Sequence, residues 1–150
     1  MTNLVLLLAV FGMLRNPTYA ELVAFLNKDR TNTHTYSEEY TCWDFACEMQ
    51  RNAQRAGYRA GFVYVGMRDS AHAIVAFETV DRGLVFVEPQ IDRPVVLQEG
   101  VSYYSWIFGP TMQYMLSYDS TVLSWEVDWN STQCQIHEAR DREYPYDTHR

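Results

Sequence analysis

The spacing of hydrophobic and polar residues divides the chain into a helical first part and a strand-rich second part. Between 43 and 56, apolar side chains recur every three or four residues, and Gly57 follows where a helix C-cap belongs. The period then falls to two in Gly61–Met67, Ala71–Thr79 and Gly83–Glu88. We therefore predict a well-defined helix over 43–56, followed by three antiparallel strands.

A second helix is expected just upstream. Thr18 and Glu21 form the Thr-x-x-Glu pattern of a capping box, and apolar residues follow at Leu22, Phe25 and Leu26. The polar residues after this helix compete with the backbone for hydrogen bonds, which predicts a loop up to residue 39.

Weaker patterns follow the third strand. Prolines at 89 and 94 stop that strand and predict a short new one at 95–97, because proline donates no hydrogen bond to a sheet. Residues 121–129 alternate like an outer strand, whereas 130–150 are polar enough that we expect a frayed tail. The aromatic residues of 101–118 are expected mainly to pack in the core, with the lining of a substrate groove as the alternative.

The most apolar run, 4–14, is about half as long as the roughly 20 residues that a membrane-spanning helix needs. We expect no transmembrane segment. The run is interpreted as a core helix, and a secretory signal or a truncated anchor is the alternative, although no basic residue precedes it.

Composition narrows the class of protein. The chain has 150 residues, of which 47% are hydrophobic, so it is long and apolar enough for one folded domain, 1–150, with its core at about 36–98. With 12 basic and 19 acidic residues the net charge is −7, and no basic stripe is present, which argues against nucleic acid as a partner. The fold class predicted is α+β, with the 43–56 helix packed on an antiparallel sheet of three to five strands.

Cys42 stands at the predicted first turn of this helix. Unpaired backbone N–H groups and the positive end of the helix dipole stabilise a thiolate there, so this is where a nucleophilic cysteine would be placed. Cys47, which lies inside the helix, is interpreted as a packing residue. With three cysteines, at least one thiol is expected to be free.

A base and an orienting acid are available in the predicted sheet. His72 begins the second strand, and Glu88 ends the third. In an antiparallel hairpin, the two residue numbers of every directly opposed pair add up to the same sum. If that sum is even, His72 and Glu88 lie on the same face of the sheet. The carboxylate would then accept the imidazole N–H, while an odd sum would turn Glu88 away.

These residues resemble the core of the transglutaminase-like branch of the papain-like cysteine enzymes. The resemblance covers about 36–90 and rests on Tyr40-Thr-Cys42-Trp-Asp-Phe-Ala46, Gly57-Tyr58-Arg59-Ala60, His72-Ala73 and Gly83-Leu-Val-Phe-Val-Glu88-Pro89. It implies a papain-like core in which Cys42 is the nucleophile, His72 the base and Glu88 the orienting acid.

Two residues depart from the family pattern. Glu88 stands where aspartate is usual, and Leu84 stands where an aromatic residue is common, so Asp92 is a fallback for the orienting acid. The backbone N–H of Cys42 is one expected donor to an oxyanion. A second donor could come from Tyr36, Tyr40 or Trp43, and the sequence does not choose among them.

The function predicted is therefore cysteine-dependent hydrolysis of an amide in a peptide or protein substrate, or acyl transfer, with no cofactor. The alternative is a binding or structural module on the same scaffold. Zinc binding by Cys42, Cys47, Cys134 and His137 is disfavoured, because the first two lie about 140° apart around the helix. We expect no metal site.

Overall fold

A computed structural model describes residues 13–109 and 118–143. The helices in these ranges are α1 (Tyr19–Lys28), α2 (Cys42–Arg55), α3 (Tyr103–Phe108) and α4 (Thr132–Glu143), with a short 3-10 turn at Thr31–Thr33. The strands are β1 (Gly61–Met67), β2 (Ala71–Thr79), β3 (Gly83–Glu88), β4 (Arg93–Val95) and β5 (Val122–Asp128). They form one antiparallel sheet in the order β4-β3-β2-β1-β5, so the α+β class is confirmed.

The three strands predicted from the period of two have the predicted bounds, and β5 lies within the predicted outer strand. The prediction for the fourth strand is wrong, because β4 covers Arg93–Val95 instead of 95–97 and includes Pro94. The reason is the position of β4 at the edge of the sheet. There, the N–H that proline lacks is not needed for a further strand.

Helix α1 begins with the predicted capping box. Thr18 Oγ1 accepts a hydrogen bond from the Glu21 N–H over 3.1 Å, and Glu21 Oε2 accepts one from the Thr18 N–H over 2.9 Å. Leu22 and Leu26 are buried on the side of α1 that meets the rest of the fold. This local prediction is confirmed.

The apolar run 4–14 falls almost wholly outside the described residues. Its last two residues, Met13 and Leu14, are described, and they are non-helical and exposed. At these two positions the prediction of a core helix is wrong. No helix in the described ranges has the length and apolar character that crossing a membrane requires.

Helix α2 presents one apolar face to β1 and β2. Phe45, Ala46, Met49 and Ala53 on this face are fully buried, as the spacing of three and four predicts. The helix ends at Arg55, and Gly57 follows with φ of +87°, a left-handed conformation that glycine adopts without strain. The helix starts one residue earlier than the apolar pattern indicates, so Cys42 is its first residue.

The sheet separates two apolar clusters, because its side chains alternate between faces. One cluster joins α1 and α2 to alternate sheet residues, which include Phe62, Ala73, Val75, Phe77 and Val87. The other joins α3 and β5 to the intervening residues, which include Val63, Val65, Ile74 and Ala76. His72 has the parity of Ile74 and Ala76 on β2, so it belongs to the α3 side of the sheet.

The expectation of a frayed tail after residue 130 is wrong for the described part of that segment, which forms α4. A disulfide between Cys47 and Cys134 joins α4 to α2 across 87 residues of sequence. Cys47 is buried in the core as expected of a packing residue, but its disulfide was not predicted. The tail is held by this cross-link and by contacts with α2, which its weak amphipathic pattern does not reveal.

A substitution at Gly61 tests how closely β1 packs against β5. A Cβ atom at this position would lie 2.5 Å from Val127 Cγ1 and 2.9 Å from Trp129 Cε3. We expect Gly61→Ala to destabilise the fold by about 1 to 3 kcal/mol through overpacking, measured by urea unfolding. Gly66→Ala is the matched control, because its Cβ would approach most closely the hydroxyl of Ser124, at 3.1 Å. Equal losses in the two variants would contradict the close approach at Gly61.

Candidate active site

Cys42 occupies the first position of α2 and is half-buried. Its neighbour Thr41 is the N-cap, and the Asp44 carboxylate accepts a hydrogen bond from the Thr41 N–H over 2.8 Å, which fixes the first turn. The N–H of a first helical residue has no acceptor within the helix. Cys42 is the free cysteine of the three, because the other two are joined in the disulfide.

The hairpin of β2 and β3 has the even register. Val75 lies opposite Val87 and Thr79 opposite Gly83, so His72 and Glu88 share a face as predicted. His72 Nε2 donates a hydrogen bond to Glu88 Oε2 over 2.6 Å, and both side chains are only 4% exposed. Since a carboxylate only accepts, this contact assigns a proton to Nε2.

Cys42 lies beside the same imidazole at the beginning of β2, close enough for its side chain to raise the pKa of His72. Because Glu88 occupies Nε2, Nδ1 is the ring nitrogen left for the sulfur. The structure thus brings the three residues singled out from the sequence into one chain of contacts, from Cys42 through His72 to Glu88.

Each oxygen of the Glu88 carboxylate is hydrogen-bonded. Oε2 accepts from His72 and also from the hydroxyl of Tyr103, over 2.7 Å, while Oε1 accepts from the Gln90 N–H over 3.1 Å. The additional methylene of glutamate is accommodated in this arrangement. Tyr103 was expected to pack in the core or, as the alternative, to line a substrate groove, and no spacing in the sequence indicates that it would reach the carboxylate.

These contacts determine the charge of His72. Burial alone lowers the pKa of this imidazole, but hydrogen bonds with Cys42 and Glu88, together with their negative charges, raise it to about 9. The pKa of the Tyr103 phenol is raised well above 10 by burial and by the neighbouring Glu88 charge. At neutral pH the cluster therefore holds a His72 imidazolium beside a protonated Tyr103 phenol.

Aromatic rings surround the imidazole on the α3 side. The ring centroids of Tyr103 and Tyr104 lie 5.2 and 6.0 Å from that of His72. Tyr104 in turn contacts Phe108 and Tyr118, whose side chains are exposed. The buried acid–base pair is thus continuous with an aromatic surface.

The three candidates for a second oxyanion donor are placed differently. The Tyr40 hydroxyl donates to Glu48, so it is engaged elsewhere. Trp43 Nε1 is buried and has no hydrogen-bond partner in the described part of the chain. Tyr36 is 56% exposed, and partial burial together with the nearby Cys42 side chain raises the pKa of its phenol, so Tyr36 stays a candidate.

Asp92, the fallback for the orienting acid, is not needed, because Glu88 holds the ring. Both carboxylate oxygens of Asp92 are buried without a hydrogen-bond partner among the described residues. Burial and the charge of Asp29 raise the pKa of Asp92 to about 7. The disfavoured four-residue zinc site is incompatible with the structure, because disulfide-bonded Cys47 and Cys134 offer no thiolates.

No family model, curated protein or solved structure matches this chain. The chemistry of the site is therefore inferred from the geometry of the cluster. A half-buried thiol at a helix N-terminus, touching an imidazolium that a buried carboxylate holds, has the parts of a thiolate–imidazolium nucleophile.

The raised pKa of His72 predicts a pH dependence of stability. Because its folded value of about 9 lies above the ordinary 6.5, the stabilisation is complete below pH 6.5 and is lost as pH rises through 9. We expect the free energy of unfolding to fall by a few kcal/mol over this window, on the order of 1.4 kcal/mol per unit of pKa shift. Urea titrations at several pH values measure it.

Glu88→Gln should flatten this dependence by removing the negative partner. The control is Glu48→Gln, which removes a carboxylate beside the exposed His34, 3.1 Å away, and should leave the dependence unchanged. A wild-type protein as stable at pH 9.5 as at pH 6.5 would contradict the assigned charge state.

Proposed function

We propose that the chain is a cysteine-dependent amide hydrolase with a transglutaminase-like, papain-like core. In this proposal Cys42 is the nucleophile, His72 the acid and base, and Glu88 the orienting acid. The observation that carries it is the buried His72–Glu88 hydrogen bond, with the half-buried Cys42 side chain close enough to raise the pKa of the imidazole. The order of the three residues along the chain is the order that the resemblance implies.

Acylation begins at the first turn of α2. The Cys42 sulfur attacks the carbonyl carbon of an amide, an S–C bond forms, and the carbonyl electrons move to oxygen. In this proposal the Cys42 N–H, at the start of α2, stabilises the oxyanion, and the Tyr36 phenol is the candidate second donor. The oxyanion then collapses, the C–N bond breaks, and the imidazolium of His72 protonates the departing amine. A thioester and a neutral imidazole remain.

In deacylation, His72 acts as the base instead of the acid. Neutral His72 accepts a proton from water, the resulting hydroxide attacks the thioester carbonyl, and the C–S bond breaks. A carboxylic acid leaves, and the thiolate and imidazolium are restored. An amine in place of water would give acyl transfer by the same steps, so the two outcomes differ only in the acceptor.

The orienting role of Glu88 requires more than one hydrogen bond. A buried carboxylate is costly unless its oxygens are satisfied, and here Tyr103 and the Gln90 N–H supply the remaining donors. The ring of His72 is therefore fixed with one nitrogen on the acid and the other available to the sulfur. Preorganisation of this kind is what a general acid and base needs.

A peptide or protein substrate is the partner that we propose. The exposed rings of Tyr36, Phe108 and Tyr118 offer apolar contact area near the nucleophile, and their hydroxyl or edge groups tolerate water. The net charge of −7 gives no preference for a polyanion.

The test is formation of an acyl-enzyme. The protein is mixed with p-nitrophenyl esters of N-acyl amino acids, and intact mass and peptide mapping locate the acyl group. We expect a single adduct on Cys42, none in Cys42→Ala, and acylation slowed by about 100-fold or more in His72→Asn. His34→Asn, at the exposed histidine, is the matched control and should react like the wild type.

Turnover separates hydrolysis from transfer. Release of free acid from the adduct in water supports the hydrolase, and preferential capture by an added alkylamine supports acyl transfer. No acylation of the wild-type Cys42, or equal acylation in His72→Asn, would overturn the proposal in favour of a non-catalytic module.

A further inference from the structure

Three contacts join α2 to the segment that contains α4. Later residues of α2 pair with earlier residues of that segment, so the two helices lie side by side and antiparallel. Asp44 Oδ1 accepts from His137 Nε2 over 2.8 Å, Cys47 is bonded to Cys134, and Gln54 Nε2 donates to Ser131 Oγ over 2.8 Å. Asp44 precedes Cys47 by three residues, and His137 follows Cys134 by three, so the disulfide fixes the pair beside it. None of these contacts is used by the acyl chemistry.

A third potential ligand joins the first of these contacts. Asp141 lies one helical turn after His137, and its Oδ2 is 3.3 Å from His137 Nε2. One oxygen or nitrogen atom from each of Asp44, His137 and Asp141 lies within 4.8 Å of the others. These atoms come from two helices that are covalently cross-linked, so their spacing does not depend on a single flexible side chain.

The carboxylate of Asp44 is held in place for this arrangement. Its Oδ2 accepts hydrogen bonds from the Thr41 N–H and hydroxyl over 2.8 and 3.1 Å, which leaves Oδ1 directed to His137. The ring of His137 is also packed beside Trp43, at 5.9 Å between centroids. The side chains of His137 and Asp44 are 11% and 20% exposed, whereas that of Asp141 is 54% exposed and leaves the site open to water.

We propose that Asp44, His137 and Asp141 form a site for a divalent transition-metal ion, with Zn²⁺ as the best fit. One imidazole nitrogen and two carboxylate oxygens are ligands that zinc accepts, and water can complete a tetrahedron. With bonds of about 2.0 Å, neighbouring ligand atoms in a tetrahedron lie about 3.3 Å apart. The separations of 2.8 and 3.3 Å at His137 Nε2 require only a small expansion.

Binding changes the position of one proton. A metal ion on Nε2 of His137 requires that nitrogen to be deprotonated, so a neutral ring carries its proton on Nδ1. The guanidinium of Arg140, now 3.4 Å from Nδ1, must then move away, which its surface position allows. The two carboxylates offset the charge of the ion, so the ligand set is electrostatically balanced.

The ion would attach α4 to the first turn of α2, two residues after Cys42. The ion would be a second link between α4 and α2, in addition to the disulfide. It would stabilise the fold whether or not Cys42 is catalytic. This site therefore goes beyond the proposed hydrolase and can fail or succeed independently of it.

The experiment uses the full chain with its disulfide intact and Co²⁺ as a spectroscopic probe. We expect one equivalent of Co²⁺ to produce visible absorption bands of a four-coordinate site, and Zn²⁺ to displace them. Asp141→Asn should weaken binding by about tenfold or more, and His137→Ala should abolish the bands. Both substitutions leave the Asp44 cap in place, and circular dichroism checks that the variants are folded.

His34→Ala is the matched control, because His34 also contacts a carboxylate, Glu48, at 3.1 Å but is not part of the three-residue cluster. It should bind Co²⁺ like the wild type. The proposal is overturned if the wild type gives no saturable band, or if His137→Ala binds Co²⁺ with unchanged affinity. No esterase or acylation assay enters this result.

Discussion

The buried carboxylate of Glu88 is the constraint on which the candidate site depends. A carboxylate buried this deeply is tolerated only if its oxygens are satisfied, and here three donors do so. His72 comes from the neighbouring strand, Tyr103 from α3, and the Gln90 N–H from the turn after β3. Burial of the Glu88 side chain thus requires the register of the β2–β3 hairpin, the packed position of α3 and the turn after β3.

Cys42, the proposed nucleophile, is positioned beside His72 by the packing of α2 on the sheet. Cys42 lies at the start of α2, whose apolar face packs on β1 and β2, while His72 lies at the start of β2. Helix α4 limits the movement of α2 further through the disulfide at Cys47 and the contact of His137 with Asp44. Core packing therefore fixes the thiol on α2 relative to the imidazole on β2, and the disulfide fixes α4 to α2.

Local and periodic features of the site could be predicted from the sequence, and long-range ones could not. The period of two gives β2 and β3, and their short connection leaves two registers, of which the structure has the one that places Glu88 on the His72 face. Tyr103 reaches Glu88, and Cys134 reaches α2, from distant segments of the chain. No periodic pattern in the sequence indicates either contact. A tail helix with a weak apolar face is stabilised by tertiary contacts and a cross-link, so its own sequence predicts fraying.

The measurement that tests the account most directly is the rate at which iodoacetamide alkylates Cys42 at pH 6, in the wild type and in Glu88→Gln. The substitution removes the charge that stabilises the His72 imidazolium but keeps the shape of the side chain. We expect rapid alkylation of Cys42 in the wild type and a decrease of about tenfold or more in the variant, which corresponds to about 1.4 kcal/mol in the ion pair. Equal rates in the two proteins would show that Glu88 does not act on Cys42 through His72, and would contradict the central claim.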